Sequence, residues 1–520
     1  MEERRSVVRA AGLIGGLTLL SRVGGYVRDV VLAYYFGASG QTDAFYVAFR
    51  IPNLLRRLFA EGSLTVAFIP VFTEVLRTGG RREAKAVADA VFTILVLALS
   101  ALTAVGIVFS PYVVKLFASG FDPHYFRLAV EMNRIMFPYI LLVSVVALSM
   151  GVLNTLRHFF APAISPLLLN FAVIASVIGL NRVLGIPIYA AAVGVVAGGV
   201  LQVAMQLPFL RRHGFLFSLR RAASHAAVRK IYLLMAPQLF VLGVYNINIV
   251  VSTQYASHLP AGTVSYLYYA ERLIEFPLGV FAVSIATALL PSLAREAAAA
   301  RREAFVRGYV SALRLMLFVM VPALVGLAVL RLPICRVLYE RGEFGATETL
   351  YAAQSLLGYA VGLWAVGGVR ITAPTFYALK DTVTPVVAAA VSLLVNAALG
   401  YTLAFHFDFK HLGLALASSA SAVVQFAALL VVLNRRMGSI GARGLLDGVG
   451  RIAASAAVMG VVLYYLSAAV GGVWAEGGAA AAAALLGLLA AGGLVYVACC
   501  RVFGVDEVRY VFSALLSRDR

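Results

Sequence analysis

Residues 21–62 read SRVGGYVRDVVLAYYFGASGQTDAFYVAFRIPNLLRRLFAEG. The stretch belongs to two apolar segments, each long enough to cross a bilayer, joined by the tight loop GASGQTD. Within those segments it carries Arg22, Arg28, Asp29, Arg50, Arg56, Arg57 and Glu61. A cation held at the bilayer centre costs about 2.5–3.5 kcal/mol on insertion scales. Several on one helical hairpin cannot face acyl chains, so they line a protein-enclosed or watery space.

The surrounding sequence agrees with a membrane setting. Of 520 residues 62% are hydrophobic and 13% charged, and the mean hydropathy is +0.90. That leaves too little polar surface to solvate a globule of this size. Apolar stretches predict an all-α integral membrane protein with about fourteen transmembrane helices, near 9–36, 43–75, 87–118, 125–156, 162–183, 187–210, 230–257, 263–295, 308–331, 346–378, 384–405, 411–434, 448–470 and 479–501. The basic start MEERRSVVRA before an apolar run looks like a signal peptide. Arg22, Arg28 and Asp29 interrupt that run and no small-residue cleavage site follows, so an uncleaved first helix is expected. Cys335, Cys499 and Cys500 form neither a disulfide framework nor a metal-ligand spacing.

The net charge of +19 has to be located before its sign can be interpreted. With loops assigned alternately to the two sides of the membrane, 27 Lys and Arg fall on the side of the N-terminus and 7 on the other. The positive-inside rule then places both termini in the cytoplasm. The surplus is a topology signal, and nucleic acid is not an expected partner. Nine arginines remain within the helices: Arg22, Arg28, Arg50, Arg56, Arg57, Arg134, Arg272, Arg314 and Arg370. Arg134, Arg314 and Arg370 lie nearer helix ends, where a long side chain reaches the interface.

Gly24 and Gly25 are expected to bend or break the first helix, letting Arg22 and Arg28 point into one space. In an unbent helix Asp29 would lie under Arg22; either way one carboxylate accompanies two guanidiniums. In the second segment Arg50, Arg57 and Glu61 share a face, Arg56 projects to one side, and Pro52 and Pro70 predict kinks. Asp43 is a candidate helix cap or a functional carboxylate. In the eighth segment Arg272 lies between Glu271 and Glu275, where a self-neutralised pair is the structural alternative to a site role. The basic stretch 211–230 suits an amphipathic segment on an anionic lipid surface.

Two echoes point to an internal duplication. ALLPSLARE (288–296) resembles AFIPVFTEV (67–75), and LKDTVTP (379–385) resembles LRHFFAP (156–162), at offsets of 221 and 223 residues. The expected domains are a six-helix lobe over 1–215, a second over 216–435, and two further helices with a short cytoplasmic tail over 436–520. No G-x-x-x-x-G-K-[ST] occurs, which argues against ATP-driven transport within this chain, and the seven histidines are scattered. No catalytic constellation or resident cofactor is expected. What remains is a set of buried guanidiniums, whose fixed fork of donors suits phosphate and diphosphate.

With those residues located, the segment SRVGGYVRDVVLAYYFGASGQTDAFYVAFRIPNLLRRLFAEGSLTVAFIPVF resembles the N-terminal signature of the MurJ (MviN) family. FPYILLVS (137–144), YYAERLIEFPLGVFAVSIATALLPSLARE and FYALKDTVTPV (376–386) are similar to the same family, and the likeness covers essentially the full length. It implies membership of the multidrug/oligosaccharidyl-lipid/polysaccharide exporter superfamily, with two six-helix lobes around a central cavity and two extra C-terminal helices. It also implies flipping of lipid II, the undecaprenyl-diphosphate-linked disaccharide-pentapeptide, from the inner to the outer leaflet of the bacterial cytoplasmic membrane for peptidoglycan synthesis. Membrane lipids, and cell-wall synthesis proteins, are the other partners implied.

The family's cavity arginines fall on Arg22, Arg28, Arg56 and Arg272, and its acidic positions on Asp29, Asp43 and Glu61. Some relatives hold sodium with acidic residues on helices 7 and 11 and an Asn on helix 11. Here Asn396 remains as a remnant of such a site, but 232–256 and 386–405 contain no Asp or Glu, with Ser252 and Gly400 at the corresponding positions. The expected mechanism is alternating access, with Arg22, Arg28 and Arg272 clasping the diphosphate while Asp29 and Glu61 hold unoccupied arginines in place. The alternatives are an exporter of another lipid-linked oligosaccharide, a multidrug exporter of the same superfamily, an intramembrane enzyme acting on polyprenyl phosphates, and a scaffold for cell-wall machinery.

Overall fold

The computed structural model describes residues 2–57, 64–219, 226–438 and 442–508, without side-chain detail at 2–14, 65–66, 236–245, 442–445 and 475–476. Among the described residues the chain is helical, and an isolated bridge between Arg341 and Phe344 is the sole β pairing. It divides by internal packing into two units, Met1–Ser265 and Tyr266–Arg520.

In the first unit run α1 (Glu2–Phe36), α2 (Gly40–Arg56), α3 (Thr65–Thr78), α4 (Gly80–Val108), α5 (Ser110–Ala118), α6 (Pro123–Met136), α7 (Tyr139–Thr155), α8 (Phe160–Leu180), α9 (Tyr189–Arg212) and α10 (Ala226–Ser257). α11 (Thr263–Pro277) opens at the end of this unit and runs into the second. There follow α12 (Val283–Ala298), α13 (Arg302–Val329), α14 (Arg331–Tyr339), α15 (Ala346–Ala360), α16 (Leu363–Ala378), α17 (Val383–Tyr401), α18 (Lys410–Met437), α19 (Ala442–Ala469), α20 (Gly471–Glu476) and α21 (Gly478–Val502).

The protein is an all-α, multi-pass membrane protein. Ten helices among the described residues are long and apolar enough to span a bilayer, or eleven if α15 and α16, bent by 45° at their break, count as one. The expected spans 9–36, 43–75 and 230–257 are not among them. All three include residues or side chains outside the description, at 2–14, 58–63 and 236–245, so the count does not cover them. Expected single helices are in several places divided. Segment 125–156 is α6 and α7 about a turn at 137–138, still one span, while in segment 43–75 the residues between α2 and α3, 58–63, lie outside the description. Segment 263–295 is α11 and α12 with a π-helical turn, Leu278–Ala282, between them. Neither Pro52 nor Pro70 breaks its helix; both lie inside helices that continue past them.

α1 is likewise continuous through Gly24 and Gly25, so the expected break is absent. The glycine serves packing instead. A Cβ at Gly24 would stand 3.0 Å from Leu167 Cδ1 and 3.7 Å from Asn170 Cβ, which is how α1 approaches α8.

The connector after α9, part of the basic stretch expected as an amphipathic segment, is non-helical over 215–219 and pinned to α3 and α4. Phe215 meets Phe72, Phe217 stacks on Phe92 at 4.9 Å, and Asp89 accepts from Ser218 N (3.1 Å) and Oγ (2.7 Å). Asp89, 1% exposed, is balanced by Lys85 at 2.6 Å.

One sequence echo recurs as identical local geometry. After α7 and after α16 the basic residue of the echo takes a left-handed conformation, Arg157 at φ 60° and Lys380 at φ 58°. The next amide then bonds back five residues, His158 N to Leu153 O and Asp381 N to Phe376 O, both at 2.9 Å. This is the Schellman helix end, here built without glycine.

Candidate anion-binding site

Between residues 15 and 36, α1 carries Arg22, Arg28 and Asp29, a net positive charge in an apolar helix. Arg28 is 8% exposed and Asp29 0%. Arg28 donates from Nε (3.0 Å) and Nη2 (2.7 Å) to Oδ1 of Asp29, and from Nη1 (3.3 Å) to Oδ1 of Asn170. Its guanidinium also stands 5.8 Å from the centre of the Phe49 ring, a favourable cation–π distance. Asn170 in turn donates to the carbonyl of Ser21 at 3.1 Å, so one amide on α8 fixes both the arginine and the helix that bears it. Asp29 therefore meets its chain neighbour Arg28. Arg22 lies on the exposed side of α1.

On α2, Arg50 is half-buried and donates to Thr253 Oγ1 at 2.5 Å, tying α2 to α10. Arg56 is half-buried with Nε on Asn53 Oδ1 at 2.8 Å, and Arg57 is exposed. Glu61 lies outside the described residues.

Asp43 sits in the first turn of α2 but does not cap it; Ser39 does. Asp43 is 2% exposed. It accepts from Gly262 N (2.7 Å), Ser265 N (2.8 Å) and Ser265 Oγ (2.6 Å), and so caps the beginning of α11. The expectation that Asp43 caps its own helix is corrected: Ser39 holds that place, and Asp43 serves a helix distant in sequence.

In the second unit, Arg272 of α11 is half-buried with its guanidinium 6.0 Å from the centre of the Tyr268 ring. Glu275, offered by the sequence as its neutralising partner, bonds Arg370 of α16 at 2.9 Å. Arg314 is held by Glu507 at 2.6 Å and Asp506 at 3.7 Å. Those two arginines are structural ties between elements, where the sequence suggested side chains reaching for the interface. Asn396 is 3% exposed on α17 and accepts from Ser418 Oγ at 3.4 Å. With Ser392 bonding the Ser421 carbonyl nearby (3.0 Å), its described surroundings are neutral hydroxyls and carbonyls.

Sequence reasoning missed Asn170 and Thr253. A lone amide in the run PLLLNFAVI was the available signal, since a polar side chain in such a run needs a partner.

The arrangement can hold an anion by exchange. A phosphate oxygen approaching Arg28 would compete with Asp29 for a guanidinium that Asn170 keeps oriented.

The family description "Lipid II flippase MurJ" matches residues 32–483. The lipid II flippase MurJ of Burkholderia cenocepacia is 39% identical over 437 residues, covering 83% of this chain and 84% of that protein. A solved structure described as lipid II flippase MurJ in an inward closed conformation superposes with a TM-score of 0.78 at 27% identity, covering 95% of this chain and 99% of that one. An inward-facing multidrug resistance MATE family transporter of the MOP superfamily shares the fold at 13% identity, with a TM-score of 0.68 over 83% of this chain and 98% of that one. By the span and identity of these matches, the chain belongs to the MurJ family of lipid II flippases.

Proposed function

We propose that this protein moves lipid II from the inner to the outer leaflet of the cytoplasmic membrane by opening alternately to the two sides. The observation that supports this reading most is Arg28, a guanidinium nine-tenths buried in an apolar helix and held by Asp29 and Asn170. Burying such a charge is costly unless it is used, and a diphosphate is the ligand its donor geometry fits. Arg22, Arg56 and Arg272 are proposed as further contacts for the same diphosphate during the cycle. Asp29, and Glu61 with it, would hold arginines when substrate is absent and compete with it at release. Asp43, saturated by three hydrogen bonds, is assigned to fastening the beginning of α11 rather than to touching substrate.

We further propose two six-helix lobes over 1–215 and 216–435 with two additional helices beyond, and cytoplasmic termini as the basic loops require. No group in the described site is arranged for bond-making chemistry, and the action assigned is transport.

Complementation tests the reading. A strain depleted of its own flippase should grow when this chain is supplied, and should fail with Arg272→Ala present at normal levels in the membrane. Full rescue by Arg272→Ala would remove that residue from the site, and failure of the native chain to rescue would refute the substrate.

A further inference from the structure

Four positions spaced by four on α9, namely Gly194, Gly198, Gln202 and Gln206, form one face of the helix. The glycine half is closed against α8. A Cβ at Gly194 would stand 2.7 Å from Val173 Cα, and one at Gly198 would stand 3.0 Å from Leu169 Cα. Toward the C-terminus of α9 the same face turns polar yet stays sealed. Gln202 is 4% exposed, Gln206 1%, and Ser165 of α8 1%.

Gln202 Nε2 donates to the Ser165 carbonyl at 2.9 Å. Four other buried atoms of these residues meet no hydrogen-bonding partner in the protein: Gln202 Oε1, Gln206 Oε1, Gln206 Nε2 and Ser165 Oγ. Buried amides and hydroxyls are almost always hydrogen-bonded, because leaving one unmet forfeits its whole hydration.

We propose that the polar half of the α8–α9 seam is a binding site for buried water, held by Gln202, Gln206 and Ser165. The atoms choose the ligand. Gln206 Nε2 needs an acceptor while the glutamine oxygens need donors, and water is both. An alkali cation would leave the amide hydrogens unmet, and a lipid chain would leave all four atoms unmet. The hydration itself does not rest on what the protein carries.

Thermal unfolding of the purified full-length protein tests this. Gln206→Leu displaces the water and strands Ser165 Oγ and Gln202 Oε1, so Tm should fall by about 2–4 °C. A dry seam would instead be relieved of two unmet atoms, and an unchanged or raised Tm overturns the proposal. Repeating the comparison with sodium replaced by choline should leave both Tm values unchanged. A sodium-dependent stabilisation lost in Gln206→Leu would overturn water in favour of a cation. If that variant does not fold, a high-resolution density map of the native chain decides. A peak within hydrogen-bonding reach of the Gln206 amide supports the site, and featureless density there overturns it.

Discussion

Arg28 and Asp29 are adjacent in sequence and joined at 2.7 Å, so neither can be altered without consequences for the other. Arg28→Ala removes one half of a buried ion pair, and breaking such a pair typically costs about 3–5 kcal/mol. Its loss of transport would then be confounded with loss of fold. The double variant Arg28→Ala/Asp29→Asn should restore most of the melting temperature while remaining inactive; a double variant no more stable than Arg28→Ala would show the two residues to be uncoupled. His158, in the turn between α7 and α8, offers a second residue-level test. Burial, and then the charge of His213 with rings 5.6 Å apart, hold its pKa below the usual histidine value. The fold therefore favours neutral His158. Its contribution is complete above the unfolded-state value near 6.5 and declines as pH falls below it. Tm should drop between pH 7 and pH 5.5 by more in the native protein than in His158→Gln, and parallel curves would contradict this.

At the scale of elements, the packing of α1 on α8 and of α9 on α8 depends on glycines at close approach. Gly198→Leu drives a side chain against the α8 backbone and should destabilise by about 1–3 kcal/mol, measured as a lowered Tm. A neutral result would mean that the helices separate freely. Much of this level was legible in the sequence. The helical segments follow from apolar runs, and the echo LRHFFAP with LKDTVTP marks a repeated helix end, down to the left-handed Arg157 and Lys380. Other features were not. The division of segment 125–156 at 137–138 is not something that apolar periodicity encodes. Gly24 could read as a hinge or as a contact until the position of Leu167 was known. Asp43 suggested a cap for its own helix, where Ser39 serves; the helix it does fasten begins more than two hundred residues later, and no local pattern points there. Arg28 was legible as a buried charge because insertion cost is a property of sequence. Its orientation by Asn170 is tertiary and could not be read.

At the scale of the whole molecule, a pathway for an anionic lipid has to be driven as well as lined. Neither 232–256 nor 386–405 supplies a carboxylate, and Asn396 sits among hydroxyls and carbonyls, which bind sodium weakly without a formal charge beside them. Replacing sodium by choline on both sides should leave transport by this chain unchanged, and a dependence on sodium would contradict that expectation. The central claim is that guanidiniums inside the membrane carry the diphosphate of lipid II across. It is tested most directly by following labelled lipid II in vesicles containing the purified protein. Native protein should move the label to the opposite leaflet, and Arg28→Ala/Asp29→Asn, folded and inserted equally well, should not. Equal rates of translocation for the two proteins would contradict the account.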